Sequence, residues 1–238
     1  GGAWTVDANG VVANHGGLLH YGDLSGIDVA APIVDIAATE TGAGYLLVAA
    51  DGGVFAFGDA RFYGSAAHLP LASPVVGVVL RPGGYWLAAA DGGVFNFGNV
   101  AFYGSAGAID LAADIIGIEA TNDMGYRLVA ADGGVFVFGS ADFHGSLGNV
   151  QLTNGVVALA STSSGYWVAT EDGTMHGFGQ VGTEALGLSA GRGHLIDVGA
   201  FDDGTYVAVF SDVIMTEAER FVAGLSPERI ATWDALAW

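Results

Sequence analysis

Three sets of residues in this chain have types and spacings that could do chemistry. The first is a carboxylate that recurs as Asp51, Asp91, Asp132 and Asp172. Lined around one rim, four such groups would accept a cation or sugar hydroxyls; capping their own hairpins, they would accept backbone amides. The Asp-Gly-Gly context of the first three favours the turn role. The second set is the six His, at 15, 20, 68, 144, 176 and 194, which fall in no ligand spacing of the His-Glu-x-x-His kind. No metal site is expected from them. Asp7-Ala8-Asn9-Gly10 and Asp202-Asp203-Gly204 have calcium-loop character without the later bidentate acid, so calcium is the weakest expectation and no other cofactor is implied. Ser65, Ser105 and Ser146 sit in Gly-Ser turns without a nucleophile elbow, and the absence of Cys removes thiolate chemistry. A reaction centre needs a cluster of titratable groups that breaks the repeat, none is legible, and an enzyme is not expected.

The third set is aromatic. Trp4, Trp86 and Trp167 alternate with Leu46, Arg127 and Val207 at one equivalent position, and Tyr21, Tyr63 and Tyr103 share another with His144. Sugar rings lay their C–H faces on Trp or Tyr while His and Asp exchange hydrogen bonds with hydroxyls, so Trp4, Trp86, Arg127, Trp167, Tyr21, Tyr63, Tyr103 and His144 are the candidate ligand contacts. Trp and Tyr inside strands are more often core, but a slot that accepts Trp, Arg and Val argues for exposure of some members.

These positions are fixed by a repeat. Tyr45, Tyr85, Tyr126, Tyr166 and Tyr206 follow Ala3 at intervals of 42, 40, 41, 40 and 40 residues. A period near 40 belongs to propeller blades and to some helical repeats. Each repeat holds four short apolar stretches separated by Gly, Asn, Asp or Pro, with no apolar stripe at helical spacing, which selects strands. The expectation is an all-β β-propeller of four-stranded blades over the whole chain, with repeats 3–44, 45–84, 85–125, 126–165, 166–205 and 206–238. Six blades are expected if 230–238 pairs beside Ala3–Val6; a helical reading of 216–224 and 226–238 would leave five and an appendage. Strands covered on both faces need not alternate with polar residues, so Phe55 and Phe57, Phe95 and Phe97, and Phe136 and Phe138 should fill one inter-sheet face.

Composition narrows the partners. Six Lys+Arg against 25 Asp+Glu give a formal charge of −19, and the six basic residues are all Arg. A phosphate backbone is therefore an unsuitable ligand. Half the residues are hydrophobic (52%), yet Arg81, Pro82, Gly83 and Gly84 break the most apolar stretch, so no membrane-spanning helix is expected. Gly1 opens the chain without a basic n-region or apolar h-region, which places any secretion signal outside these residues. Near the isoelectric point of about 4.1 the repulsion among carboxylates vanishes and association is expected.

The phrase Gly84-Tyr85-Trp86-Leu87, Asp91-Gly92-Gly93-Val94-Phe95, Phe97-Gly98 and Phe102-Tyr103-Gly104-Ser105 resembles tandem repeats of secreted and surface proteins of actinobacteria and their phages, from Ala3 to about Phe210. The resemblance implies an extracellular, cell-surface or virion-surface accessory module, and its shape is similar to that of small propeller lectins. The functional expectation is a non-enzymatic module that binds a carbohydrate or cell-envelope polymer. The alternative is a structural or protein-interaction module of a phage tail or surface fibre, whose partners are protein subunits.

Overall fold

The computed structural model describes residues 2–121, 124–162, 164–185, 195–200, 206–210, 213–216, 222–223 and 229–233. The chain forms two compact units, Gly1–Asp110 with Arg229–Trp238, and Leu111–Glu228. Among the described residues every regular element is a strand, and the strands form six antiparallel sheets.

In the first unit, β1 (Gly2–Val6), β2 (Val12–His15), β3 (Ile33–Ala38), β4 (Gly44–Ala49), β5 (Val54–Gly58), β6 (Val75–Arg81), β7 (Gly84–Ala89) and β8 (Val94–Gly98) build two sheets in simple meander order, β3-β4-β5 and β6-β7-β8. The third sheet, β2-β1-β20, takes its last strand from Arg229–Trp233. Trp4 faces Ala231 and Thr5 faces Ile230 in that pairing. In the second unit, β9 (Ile115–Ala120), β10 (Gly125–Ala130) and β11 (Val135–Gly139) form one sheet. β12 (Val156–Thr162), β13 (Gly165–Thr170), β14 (Thr174–Gly179) and β15 (Glu184–Ala185) form another, and β16 (Leu195–Ala200), β17 (Tyr206–Phe210), β18 (Val213–Thr216) and β19 (Val222–Ala223) the third.

Two sequence expectations need correcting. The repeat is out of phase with the sheets by one strand: Tyr45 is the second residue of β4, the middle strand, and β3 before it belongs to the same sheet. Four of the six sheets also have three strands rather than four. The reason lies after the third strand, where Tyr63 gives its amide to a side chain of the next sheet, the Tyr85 hydroxyl, at 3.1 Å. That segment becomes a loop docked on a neighbour. The helical reading of the tail fails where the chain is described, because Val222–Ala223 and Arg229–Trp233 are strands.

Within each unit the core lies between successive sheets. β4, β7, β10 and β13 are buried along their whole length, as strands covered on both faces must be. Trp4, Ile33, Ile36, Tyr45 and Leu47 form one cluster of the first unit, and Leu46, Val75, Val78, Tyr85 and Leu87 another. Phe55 and Phe57, and Phe95 and Phe97, pack at the margin of these clusters, and all three Phe pairs stay half-buried on the third strand of their sheets.

Candidate functional site

The Asp-Gly turns come first, because they anchor the loops. Asp51, Asp91 and Asp132 each accept the amide two residues on, from Gly53, Gly93 and Gly134 at 2.9 Å. Asp172 accepts from Thr174 at 3.0 Å and from the Thr170 hydroxyl at 2.7 Å, and that hydroxyl holds its carboxyl below the ordinary carboxylate range. In the first repeat the cap is Asp7 rather than Asn9: one oxygen takes the amides of Asn9 and Val11, both at 2.9 Å. Asp7 is thus committed to its own turn, and among the described residues no three His, Asp or Glu gather as metal ligands. Asp202, Asp203, Gly204 and His194 lie outside the described residues.

The Gly of each turn then fixes the loop that follows the sheet. Gly52 has φ of +82°, and a Cβ there would stand 2.6 Å from the Ala66 Cβ, so only Gly admits this approach. The Ala66 amide donates to the Gly52 carbonyl at 2.9 Å; Leu24, Ala106 and Leu147 do the same to Gly10, Gly92 and Gly133. Three residues later the amides of Ile27, Leu69, Ile109 and Val150 donate back to those four residues, closing a turn.

The other pin is a tyrosine. The Tyr85 hydroxyl donates to the Gly64 carbonyl while accepting the Tyr63 amide; Tyr45 clasps Gly22 and Tyr21 in the same way, and Tyr166 clasps Gly145 and His144. Burial raises the Tyr45 and Tyr85 pKa above the usual phenol value, so both hydroxyls keep the proton they donate. Tyr21, Tyr63 and Tyr103 are half-buried with their rings about 6 Å from Tyr45, Tyr85 and Trp86, whereas His144 is exposed.

The Trp slot is framework. Trp4, Trp86 and Trp167 are 0%, 4% and 4% exposed, and Arg127 is 6% exposed. Each indole Nε1 donates to the carbonyl 15 residues on, Leu19, Ala101 and Gly182, at 2.9, 2.8 and 2.8 Å. Arg127 sends Nε and Nη2 to Asp142, also 15 residues on, at 3.2 Å. Its guanidinium lies 4.8 Å from the Tyr166 ring, where Trp4 lies 5.5 Å from Tyr45. Leu46 is fully buried in the same slot and Val207 lies on β17. Variety at this position therefore does not mean exposure: Trp and Arg share a hydrogen-bonding geometry there, and Leu46 is buried without one.

What does reach solvent is the residue one place before the Tyr slot. Phe62, Phe102 and Phe143 are 59%, 53% and 57% exposed. Seven residues on, Leu69, Ile109 and Val150 are exposed too, and the first repeat carries His20 and the exposed Ile27 at the same positions. A Tyr clasp and a Gly anchor hold the Phe62 and Phe143 segments from both sides, and the Gly92 anchor holds the Phe102 segment, so these apolar side chains are turned outward from a pinned backbone. The sequence carried the signal, an apolar residue repeated at two loop positions.

A second feature escaped the sequence reading. Glu119 of β9 accepts the Ser161 amide of β12 at 2.8 Å, and the Ser161 hydroxyl donates to its other oxygen. Arg127 Nη1 donates to the same hydroxyl at 3.1 Å. Desolvation pushes the Glu119 carboxyl up to about 7, with the Asp197 charge adding to it and Ser161 and Arg127 opposing it. The residue keeps partial solvent contact along its strand while its carboxyl is enclosed. Asp35 of β3 makes a related stitch, taking the Val78 amide of β6 at 2.8 Å. Glu119, across from Arg127 in the register, departs from the repeat together with it. The arrangement can hold one proton near neutrality.

No protein-family model and no curated protein matches the chain. Among the solved structures to which it is similar are two of known description. One, described as YCF48 bound to D1 peptide, aligns at 13% identity with a TM-score of 0.52, over 81% of this chain and 67% of that one. The other, the computationally designed Ika8 protein, aligns at 16% identity with a TM-score of 0.54, over 90% and 67%. The fold is all-β and β-propeller-like. Among the described residues no helix is long and apolar enough to cross a membrane.

Proposed function

We propose that this chain is a non-enzymatic binding module that docks protein partners through its repeated loops, outside the cell or on a virion surface. The observation that carries this reading is the outward placement of Phe62, Phe102 and Phe143 at one repeated position, each followed by an exposed aliphatic residue. An exposed Phe beside solvent gains by covering with apolar groups, and the same contact offered several times adds avidity. A protein partner fits better than a pyranose, because the Trp rings suited to sugar stacking are enclosed. The peptide in the YCF48 structure is support by analogy only.

Six blades closing in one ring is the architecture proposed to present these loops, supported by six sheets and by β20 completing the sheet of β1. Kinship with secreted actinobacterial and phage repeats is proposed on the motifs alone. Binding of a glycan or cell-envelope polymer is the second reading, favoured by the half-buried Tyr21, Tyr63 and Tyr103 and by the exposed His144.

The test compares the chain with a Phe62→Ser, Phe102→Ser, Phe143→Ser variant on a peptide array and a glycan array. The proposal expects peptide binding that falls at least tenfold in the variant. Binding to glycans that the variant retains, with no peptide binding, would overturn it.

A further inference from the structure

The loops that expose Phe102 and Phe143 are also acidic, as is the equivalent loop of the first repeat. Segments 16–32, 59–74, 99–114 and 140–155 hold six Asp (23, 28, 59, 110, 114 and 142), one Arg (61) and no Lys or Glu. Three of these Asp adjoin an exposed apolar residue in sequence: Asp28 follows Ile27, Asp110 follows Ile109 and Asp142 precedes Phe143. All three are themselves exposed. Asp59 is held by the Thr39 and Thr41 hydroxyls, at 2.9 and 2.5 Å, and Asp23 pairs with His20 at 3.4 Å. The chain as a whole carries −19.

An apolar contact flanked by uncompensated carboxylates selects its partner. Acidic surfaces, a second copy of this chain included, are repelled, while a segment that alternates apolar and cationic side chains satisfies both parts. We infer that the Phe102 and Phe143 loops are footholds for a Lys- or Arg-rich segment of a partner protein, whose apolar side chains cover the Phe and aliphatic pair while its cations meet Asp110 and Asp142. This rests on the proposed protein-docking function and names the class of partner. Each of the two loops is a complete foothold, and both on one partner multiply the affinity.

The test is fluorescence anisotropy with the whole chain and three labelled 16-residue peptides, in which Leu alternates with Lys, Ser or Glu. The Lys peptide should bind at least tenfold more tightly than the Ser peptide, and the Glu peptide should not bind. Raising salt from 0.05 to 0.5 M should weaken the Lys peptide severalfold. Two variants share the test, Phe62→Ser/Phe102→Ser/Phe143→Ser and Asp28→Asn/Asp110→Asn/Asp142→Asn, with unchanged thermal unfolding as the check that exposed positions alone were altered. The Phe variant should lose binding to every peptide, and the Asp variant should lose only the preference for Lys. Lys-peptide binding that survives the Phe variant would be unspecific charge attraction and overturns the inference. Phe-dependent binding of Lys and Ser peptides with equal affinity overturns the charge selection and leaves the docking function standing. Binding of none of the three overturns both.

Discussion

Trp4 and Arg127 occupy one slot of the repeat and solve its problem in different ways. In the first unit Trp4 fills the space with an indole, gives its one N–H to Leu19 and packs on Tyr45. In the second, Arg127 gives two donors to Asp142, lays its guanidinium over Tyr166 and has a donor left, which Ser161 accepts. Where the slot holds a flat group, a donor at its edge bonds the carbonyl 15 residues on, whereas Leu46 fills the slot with no donor. A buried cation adds a demand that an indole does not, and Glu119 answers it from the facing strand. The difference teaches that a repeat tolerates a charged member when a second substitution comes with it, since an isolated buried charge is costly and a partnered one is not.

The largest effect should come from emptying the apolar version of the slot. Trp4→Ala removes a fully buried ring and leaves the Leu19 carbonyl without its donor, for a loss of about 4 kcal/mol. Chemical denaturation measures it, and a loss under about 1 kcal/mol would mean that Trp4 is not the packing element described.

The polar version should respond to pH. The folded Glu119 carboxyl titrates at about 7 against an ordinary 4.5, so between these values the folded chain holds a proton that the unfolded chain has released. The contribution is fully present below 4.5, declines as pH rises and is gone above about 7, on the order of 3 kcal/mol in all. Glu119→Gln keeps the neutral form at every pH. The difference in unfolding free energy between the two proteins should therefore grow from pH 4.5 to 7 in favour of the variant and then level off; a flat difference would show that Glu119 is not held in this way.

The two versions should also be interchangeable as pairs. Arg127→Trp with Glu119→Val writes the paired residues of the β6-β7-β8 sheet, Trp86 and Val79, into the β9-β10-β11 sheet. The double variant is expected within about 1 kcal/mol of the parent and without the Glu119 step in its pH profile, whereas Arg127→Ala alone costs about 3 kcal/mol by stranding Glu119. Equal losses for the single and the double change would break the comparison.

Much of this was legible and some was not. The period of about 40 residues, the Asp-Gly turns and the unbroken burial of strands such as Gly84–Ala89 follow from the pattern of small, apolar and turn residues. The pairing of Arg229–Trp233 with β1 was also readable, from the apolar run around Ile230. The fourth strand was misread because an apolar stretch such as Phe102-Tyr103 looks alike whether its amides face a strand or a tyrosine hydroxyl. The Trp slot was misread because variety does not signal exposure where Trp and Arg make the same bond. Glu119 was missed because its partner Ser161 is 42 residues away, a separation that only the placement of β9 against β12 closes.

The smallest effect concerns what the two units share. The clasp of a loop by a tyrosine hydroxyl is the same at Tyr85, under apolar neighbours, and at Tyr166, under a guanidinium. Phenylalanine keeps the ring and removes the hydroxyl, so Tyr85→Phe and Tyr166→Phe should each cost about 1 kcal/mol, with the charge over Tyr166 making little difference. Faster amide hydrogen exchange at Tyr63 or His144, confined to the clasped loop of each variant, is the matching local signal. A loss at Tyr166 several times that at Tyr85 would mean that the hydroxyl acts chiefly within the polar cluster of Glu119 and Arg127 rather than in holding the loop, and the clasp would then be a device of the first unit alone.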